Sequence, residues 1–264
     1  MYNRSDIEYI YDGTLNGFLC CVSRAFLREE FPMRITPAAN AQESLFQKID
    51  VETDLHAAKR VWASFIKRFG RRAARVILAA YLNRDPEREE AILEFLHCAY
   101  ELGPSAFSAR SYAEVHRFLK LAQESENECH QFLGLLRFEE YYGGLAAVIE
   151  PKNSPLPLMR PHFIDRYPEE RFLIYDRTNR LALIYKPYTW RILQVDEFTL
   201  PKMTKAEAEL QLLWAQYYKT VAIKERENPR CRMNHMPKRY WKNLTEMKYA
   251  QELESRSRII PKPQ

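Results

Sequence analysis

The chain has 264 residues, with 40 Lys+Arg against 35 Asp+Glu for a net charge of +5, and 46% of its residues are hydrophobic. A chain of this size and composition buries about three quarters of its unfolded surface, which excludes wholesale disorder. Its 7 glycines include no G-x-G-x-x-G or G-x-x-x-x-G-K-[ST] arrangement, which excludes the common dinucleotide and nucleoside-triphosphate loops.

The predicted elements begin with a strand at Tyr9-Ile10-Tyr11, ended by Asp12-Gly13, and a helix from Leu15 to Arg28. A β-like passage at Leu45 to Val51 precedes a helix from Leu55 to Phe69, read from the spacing of Val61, Phe65, Ile66 and Phe69. Another helix runs from Arg72 to Leu82 after Gly70. Asp85-Pro86 reads as an N-cap with proline at the first helical position, and Ile92, Phe95, Leu96 and Ala99 form the apolar stripe that follows. Leu102-Gly103-Pro104 stops that helix. Ser111 and Glu114 have capping-box spacing, opening a helix with the stripe Val115, Phe118, Leu119 and Ala122.

Further on, Leu135 to Tyr142 and Leu145 to Ile149 flank Gly143-Gly144 as a hairpin. Phe172 to Tyr175, Leu181 to Tyr185 and Trp190 to Val195 read as a three-stranded meander. Thr204 and Glu207 form a second capping box, opening a long helix with Ala206, Leu210, Leu213, Trp214, Tyr217 and Val221 expected to face inward. The expectation is an α+β fold: a mainly helical N-terminal part, then an antiparallel β-sheet and a long helix in the C-terminal part. No internal repeat is visible.

Charge divides the chain. Residues 1–150 carry 18 Lys+Arg and 22 Asp+Glu, and residues 151–264 carry 22 and 13. The change falls at Pro151-Lys152-Asn153-Ser154-Pro155-Leu156-Pro157, which reads as a linker or an extended crossover. The expected organisation is a helical part over 1–150, a meander with helix and basic motif over 151–254, and a loose tail over 255–264. No apolar run approaches the roughly 18 residues of a membrane span, and MYNRSDIEYIYDG lacks the flanks of an export signal. A cytoplasmic location with no membrane contact is therefore expected. The 5 cysteines are odd in number and form no C-x-x-C. Without an H-E-x-x-H motif either, no metal or cofactor is expected of the chain itself.

Two basic clusters carry the functional signal. Residues 55–75 contain Lys59, Arg60, Lys67, Arg68, Arg71, Arg72 and Arg75 and no acid; on a continuous helix Arg60, Lys67, Arg71 and Arg75 share one stripe. Residues 219–242 contain Lys219, Lys224, Arg226, Arg230, Arg232, Lys238, Arg239 and Lys242 against Glu225 and Glu227, with Tyr217, Tyr218, Tyr240 and Trp241 around them. Cations with interleaved aromatics suit a phosphate backbone and stacked bases. Pro237 reads as the first residue of a helix, which places Lys238 and Arg239 against the macrodipole unless an anion docks there. The expected nucleic-acid contacts are Arg226, Asn228, Arg230, His235, Lys238, Arg239, Tyr240, Trp241 and Lys242, with Arg60, Lys67, Arg71 and Arg75.

His162 and Asp165 are candidates for an acid–base pair, although turn capping or packing is the commoner role for such a histidine. Asp176, at the end of a strand, reads as a turn former more readily than as a catalytic or metal-binding carboxylate. His97, His116 and His130 sit in helical patterns and read as structural, and Cys20-Cys21 reads as core.

Asn228-Pro229-Arg230 with the run His235 to Leu244 resembles the closing signature of a bacterial group described as probable DNA metabolism or putative DNA repair proteins. Tyr11-Asp12-Gly13-Thr14 with Gly17-Phe18-Leu19 is similar to its opening. The runs Phe132 to Phe138, Pro161 to Arg166 and Ile174 to Arg177 match inside, so the resemblance extends from about Tyr9 to Glu246. It implies a DNA-repair accessory role, and the cations with interleaved aromatics suit single-stranded or distorted duplex DNA. The implied partner is a radical-SAM protein or a uracil-DNA-glycosylase-like module. This chain has neither the C-x-x-x-C-x-x-C of a radical-SAM cluster nor a Gly-rich glycosylase loop, so such chemistry belongs to the partner. Two alternatives stand beside this reading. One is an enzyme acting on a damaged or modified base through His162 and Asp165; the other is a protein-interaction scaffold without nucleic-acid contact.

Overall fold

A computed structural model describes residues 4–141, 143–196, 198–200 and 203–248. The chain divides into two compact units, residues 1–126 and 127–264. The fold is α+β, as expected. The tail expected over 255–264 lies outside the described residues.

The first unit opens with β1 (Arg4–Tyr11), α1 (Leu15–Arg28), β2 (Phe31–Pro37) and β3 (Gln47–Asp50). The strands form a three-stranded parallel sheet in the order β2-β1-β3, with β1 central. The strand β2 escapes a sequence reading because Pro32 and Pro37 interrupt its run. Past β1, the Asp12 carboxylate accepts the Thr14 N–H at 2.9 Å and the Thr14 and Thr53 hydroxyls at 2.8 Å each. Thr14 in turn caps α1 through the N–H of Gly17 at 3.0 Å. A side chain at Gly17 would put its Cβ 2.2 Å from Asp12 Oδ1, so only glycine fits this approach.

The helices α2 (Leu55–Tyr81), α3 (Arg88–Leu102) and the start of α4 (Ala113–Leu135) complete this unit. Within α2, Gly70 takes φ 88° and ψ 165° and breaks the helix into two runs. The N-cap expected at Asp85 is displaced: α3 begins at Arg88, and Asp85 accepts the Glu87 N–H at 2.9 Å in a turn that precedes it. The expected stripes of α3 and α4 are otherwise the core, except that Leu119 is only half-buried, and Phe95 and Phe118 stack at 3.8 Å between ring centroids.

Burial of α3 continues onto its acidic positions, which include Glu89, Glu90 and Glu94. Glu89 accepts the Tyr11 hydroxyl at 2.7 Å and pairs with Arg88 at 3.0 Å. Glu90 accepts the Ile35 N–H at 2.8 Å, while its second oxygen has no hydrogen-bond partner. Burial lifts the Glu90 carboxyl to a pKa of about 7.

In the second unit, β4 (Glu139–Tyr141), β5 (Gly144–Ile149), β6 (Phe172–Asp176), β7 (Leu181–Lys186) and β8 (Thr189–Gln194) pair in chain order. The hairpin and the meander are present as expected, and one parallel pair, β5 with β6, joins them. A parallel pair requires a crossover. The proline-rich passage and α5 (Leu156–Arg166) supply it, well inside this unit. Asp176 closes the β6–β7 turn by accepting the Asn179 N–H at 3.0 Å and its side-chain amide at 2.7 Å. Its burial raises the carboxyl to about 6.

The helix α6 (Lys205–Val221) opens on the expected cap, with Thr204 accepting the Glu207 N–H at 3.1 Å. Its orientation differs from the expectation. Gln211 and Ala215 are its buried residues, whereas Leu210, Leu213, Trp214, Tyr217 and Val221 are exposed. Periodicity shows that an apolar stripe exists; the stripe does not say which neighbour covers it. Short α7 (Pro229–His235) and a 3-10 helix over Lys238–Asn243 follow. Among the described residues no helix is long and apolar enough to cross a membrane.

Candidate nucleic-acid interface

The basic block of the second unit is built from local capping. Asn228 accepts the Cys231 N–H at 2.9 Å and Pro229 occupies the first turn, so α7 starts where this pair dictates. Asn228 is therefore a cap. Pro237, with φ −58°, then leads into the 3-10 helix rather than into an α-helical first turn. The expectation that Lys238 and Arg239 oppose a helix macrodipole is corrected, because this six-residue element is too short to develop one.

Three residues of the block are anchors. Arg239 pairs with Glu128 at 3.0 Å and lies over the Tyr240 ring. Tyr240 is 4% exposed, packs edge-on against Phe132 and donates its hydroxyl to Gln131 Oε1 at 2.6 Å; burial pushes its pKa up to about 12. Lys242 pairs with Glu150, which also holds Arg177 at 3.0 Å. Tyr240 is thus unavailable as a stacking platform, and Arg239 and Lys242 are already neutralised. Trp241 donates its indole N–H to Met236 O at 2.8 Å, with Arg232 and Lys238 5.4 and 5.9 Å from its ring centroid. It presents two cations rather than a bare face.

Five of the remaining cations are free to act. Lys219, Arg226, Arg230, Arg232 and Lys238 are exposed and make no ion pair among the described residues, and His235 is exposed beside them. The end of α6, the following loop and α7 enclose a groove of about 750 Å³ lined by Tyr218, Lys219, Ile223, Arg226 and Arg232, with Glu227 as its acid. Such a trough offers charge to a phosphate backbone and an apolar strip to a base edge. The partners that separate anchored from free residues are Glu128 for Arg239, Gln131 for Tyr240 and Glu150 for Lys242. They lie about a hundred positions upstream, and no local pattern points to them.

In the first unit the Gly70 break divides the expected stripe, leaving Arg60 and Lys67 on one run and Arg71 and Arg75 on the next. Arg60 lies 3.2 Å from His56 Nδ1, and Arg75 lies 3.8 Å from Glu126. Lys67 and Arg71 are exposed and have no such partner among the described residues. Arg68 donates to Tyr100 O at 2.7 Å and packs on that ring, so it serves the core. Arg72 instead joins residues that the sequence reading did not group with it: Arg110, His116 and Lys120 line the same cleft. His116 is exposed there and is not a core residue.

His162 and Asp165 are both exposed on α5, and no hydrogen bond connects them. The His162 ring meets Phe163 edge-on at 5.1 Å. Asp176 is the turn former described above.

Fold and site together define a two-unit α+β protein whose second unit presents an exposed groove lined by Lys219, Arg226 and Arg232, which make no ion pair among the described residues. The family described as a domain of unknown function, DUF4130, matches residues 86–246, and the chain belongs to it. No curated protein and no solved structure matches the chain.

Proposed function

We propose that this protein is an accessory factor of DNA metabolism or repair that binds single-stranded or distorted DNA through the free cations of its C-terminal block. The observation that carries the reading is the set Lys219, Arg226, Arg230, Arg232 and Lys238, exposed and without ion pairs among the described residues, of which Lys219, Arg226 and Arg232 line one groove. Three cations against the one acid Glu227 leave the groove lining net positive, and a net-positive groove attracts a polyanion. The chemistry belongs to a partner, and the resemblance to DNA-metabolism proteins supports a radical-SAM or uracil-DNA-glycosylase-like protein in that role.

Titration of fluorescent single-stranded and duplex DNA at several salt concentrations tests the reading. Affinity is expected to fall steeply with salt and to favour the single strand. Absence of binding at low salt overturns it.

A second reading, a protein-interaction scaffold without nucleic-acid contact, is favoured by the exposed Leu210, Leu213, Trp214 and Tyr217 of α6. It predicts that Leu210→Glu with Leu213→Glu abolishes association with a purified radical-SAM partner, and that DNA is not bound at any salt concentration.

A further inference from the structure

We propose that the first unit holds a separate binding site for a nucleoside monophosphate, free or as the 5′-phosphorylated end of a strand. The site is the cleft between the second run of α2, the 3-10 segment Gly103–Ser108 and α4. Its volume, about 560 Å³, suits one small molecule.

Two halves of the lining differ in chemistry. The floor is apolar, with Phe69, Val76, Phe107 and Leu119 each partly exposed to the cleft. Phe69 and Phe107 meet at 61° with centroids 5.9 Å apart, and Phe107 is held from behind by Phe95 at 4.9 Å. The rim carries Arg72, Arg110 and Lys120 with the imidazole of His116. These four side chains are exposed and have no hydrogen bond or ion pair among the described residues. The acid in the lining, Glu126, is 3.8 Å from Arg75.

This combination selects a ligand class. A purely apolar ligand leaves three cations without a counter-charge, and an inorganic anion leaves the aromatic floor wet. The cations come from three different elements, an arrangement that suits the several oxygens of a phosphate monoester better than one carboxylate. A phosphate joined to a flat ring system satisfies both halves, since any nucleobase has a face for the phenylalanine rings. The C-terminal groove takes no part, so this site stands or falls separately from the DNA-binding reading.

The test is calorimetric titration of the full chain with thymidine 5′-monophosphate, thymidine and inorganic phosphate, repeated in an Arg72→Ala/Lys120→Ala variant. The monophosphate is expected to bind at least tenfold more tightly than either fragment, and the variant to lose at least tenfold with its melting temperature unchanged. Arg230→Ala/Arg232→Ala/Lys238→Ala is expected to leave this binding intact. In that background, a 5′-phosphorylated tetranucleotide distinguishes the sources. Tighter binding than the monophosphate identifies a strand end, and weaker binding a free nucleotide. Equal affinity for monophosphate and inorganic phosphate, no binding at millimolar ligand, or an unaffected Arg72→Ala/Lys120→Ala variant overturns the proposal.

Discussion

Arg239 places its guanidinium 3.0 Å from the carboxylate of Glu128, a residue 3% exposed that also accepts the backbone N–H groups of Lys152 at 2.8 Å and Asn153 at 2.7 Å. One buried carboxylate thereby ties the end of α4, the crossover after β5 and the 3-10 helix to each other. An arginine inside a basic run is here part of the framework.

Arg239→Ala leaves Glu128 without its counter-charge in a buried position. The loss is expected to be about 1–3 kcal/mol of stability, with a correspondingly lower melting temperature. Urea denaturation of wild type and variant measures it. An unchanged midpoint would show that the pair contributes nothing.

The free cations behave oppositely. Arg230→Ala/Arg232→Ala/Lys238→Ala is expected to weaken binding of single-stranded DNA and to reduce the slope of log K against log salt by about 2, at roughly 0.7 for each phosphate no longer neutralised. Stability changes by only about 1–2 kcal/mol, because two of the three positions lose an exposed cation–π interaction with Trp241. Salt titrations beside thermal melts separate the two effects.

Glu90 makes stability depend on pH. Its carboxyl titrates near 4.5 in the unfolded chain and near 7 in the fold, so the fold holds the proton more tightly. Its contribution is fully present below about pH 4.5, falls as the pH rises through 7, and is constant above. Glu90→Gln retains an acceptor for the Ile35 N–H and removes the buried charge. At pH 8 the variant is expected to be more stable than wild type by about 1–3 kcal/mol, with the difference vanishing at acid pH. Denaturation curves from pH 4 to 8 provide the check; a difference that does not vary with pH would exclude titration of Glu90 as the cause.

Gly17→Ala drives a methyl group to 2.2 Å from Asp12 Oδ1 and 2.8 Å from Thr53 Oγ1. The clash displaces the carboxylate that organises the turn after β1, and a destabilisation of about 1–3 kcal/mol is expected. In an Asp12→Ala background the same substitution costs less, so a double-mutant cycle shows a coupling of about 1 kcal/mol. Simple additivity would place the origin of the close approach elsewhere.

The sequence by itself determined the parts that depend on neighbours within a few residues. Thr204 caps α6 through Glu207 because the two are one turn apart, and the meander of β6, β7 and β8 follows from short turns between β-rich runs. Gly103 ends α3 where its left-handed φ of 69° requires glycine. The excess of positive charge after residue 150 is likewise a property of the chain alone. Tertiary structure decided everything that depends on distance through space. It neutralised Arg239 and Lys242 with Glu128 and Glu150, and turned the apolar stripe of α6 outward. It also split the α2 cations at Gly70 and gathered Arg72, Arg110, His116 and Lys120 around one cleft. Helix periodicity and capping operate within one turn, whereas a charge is free or spent according to what the fold places within about 4 Å of it.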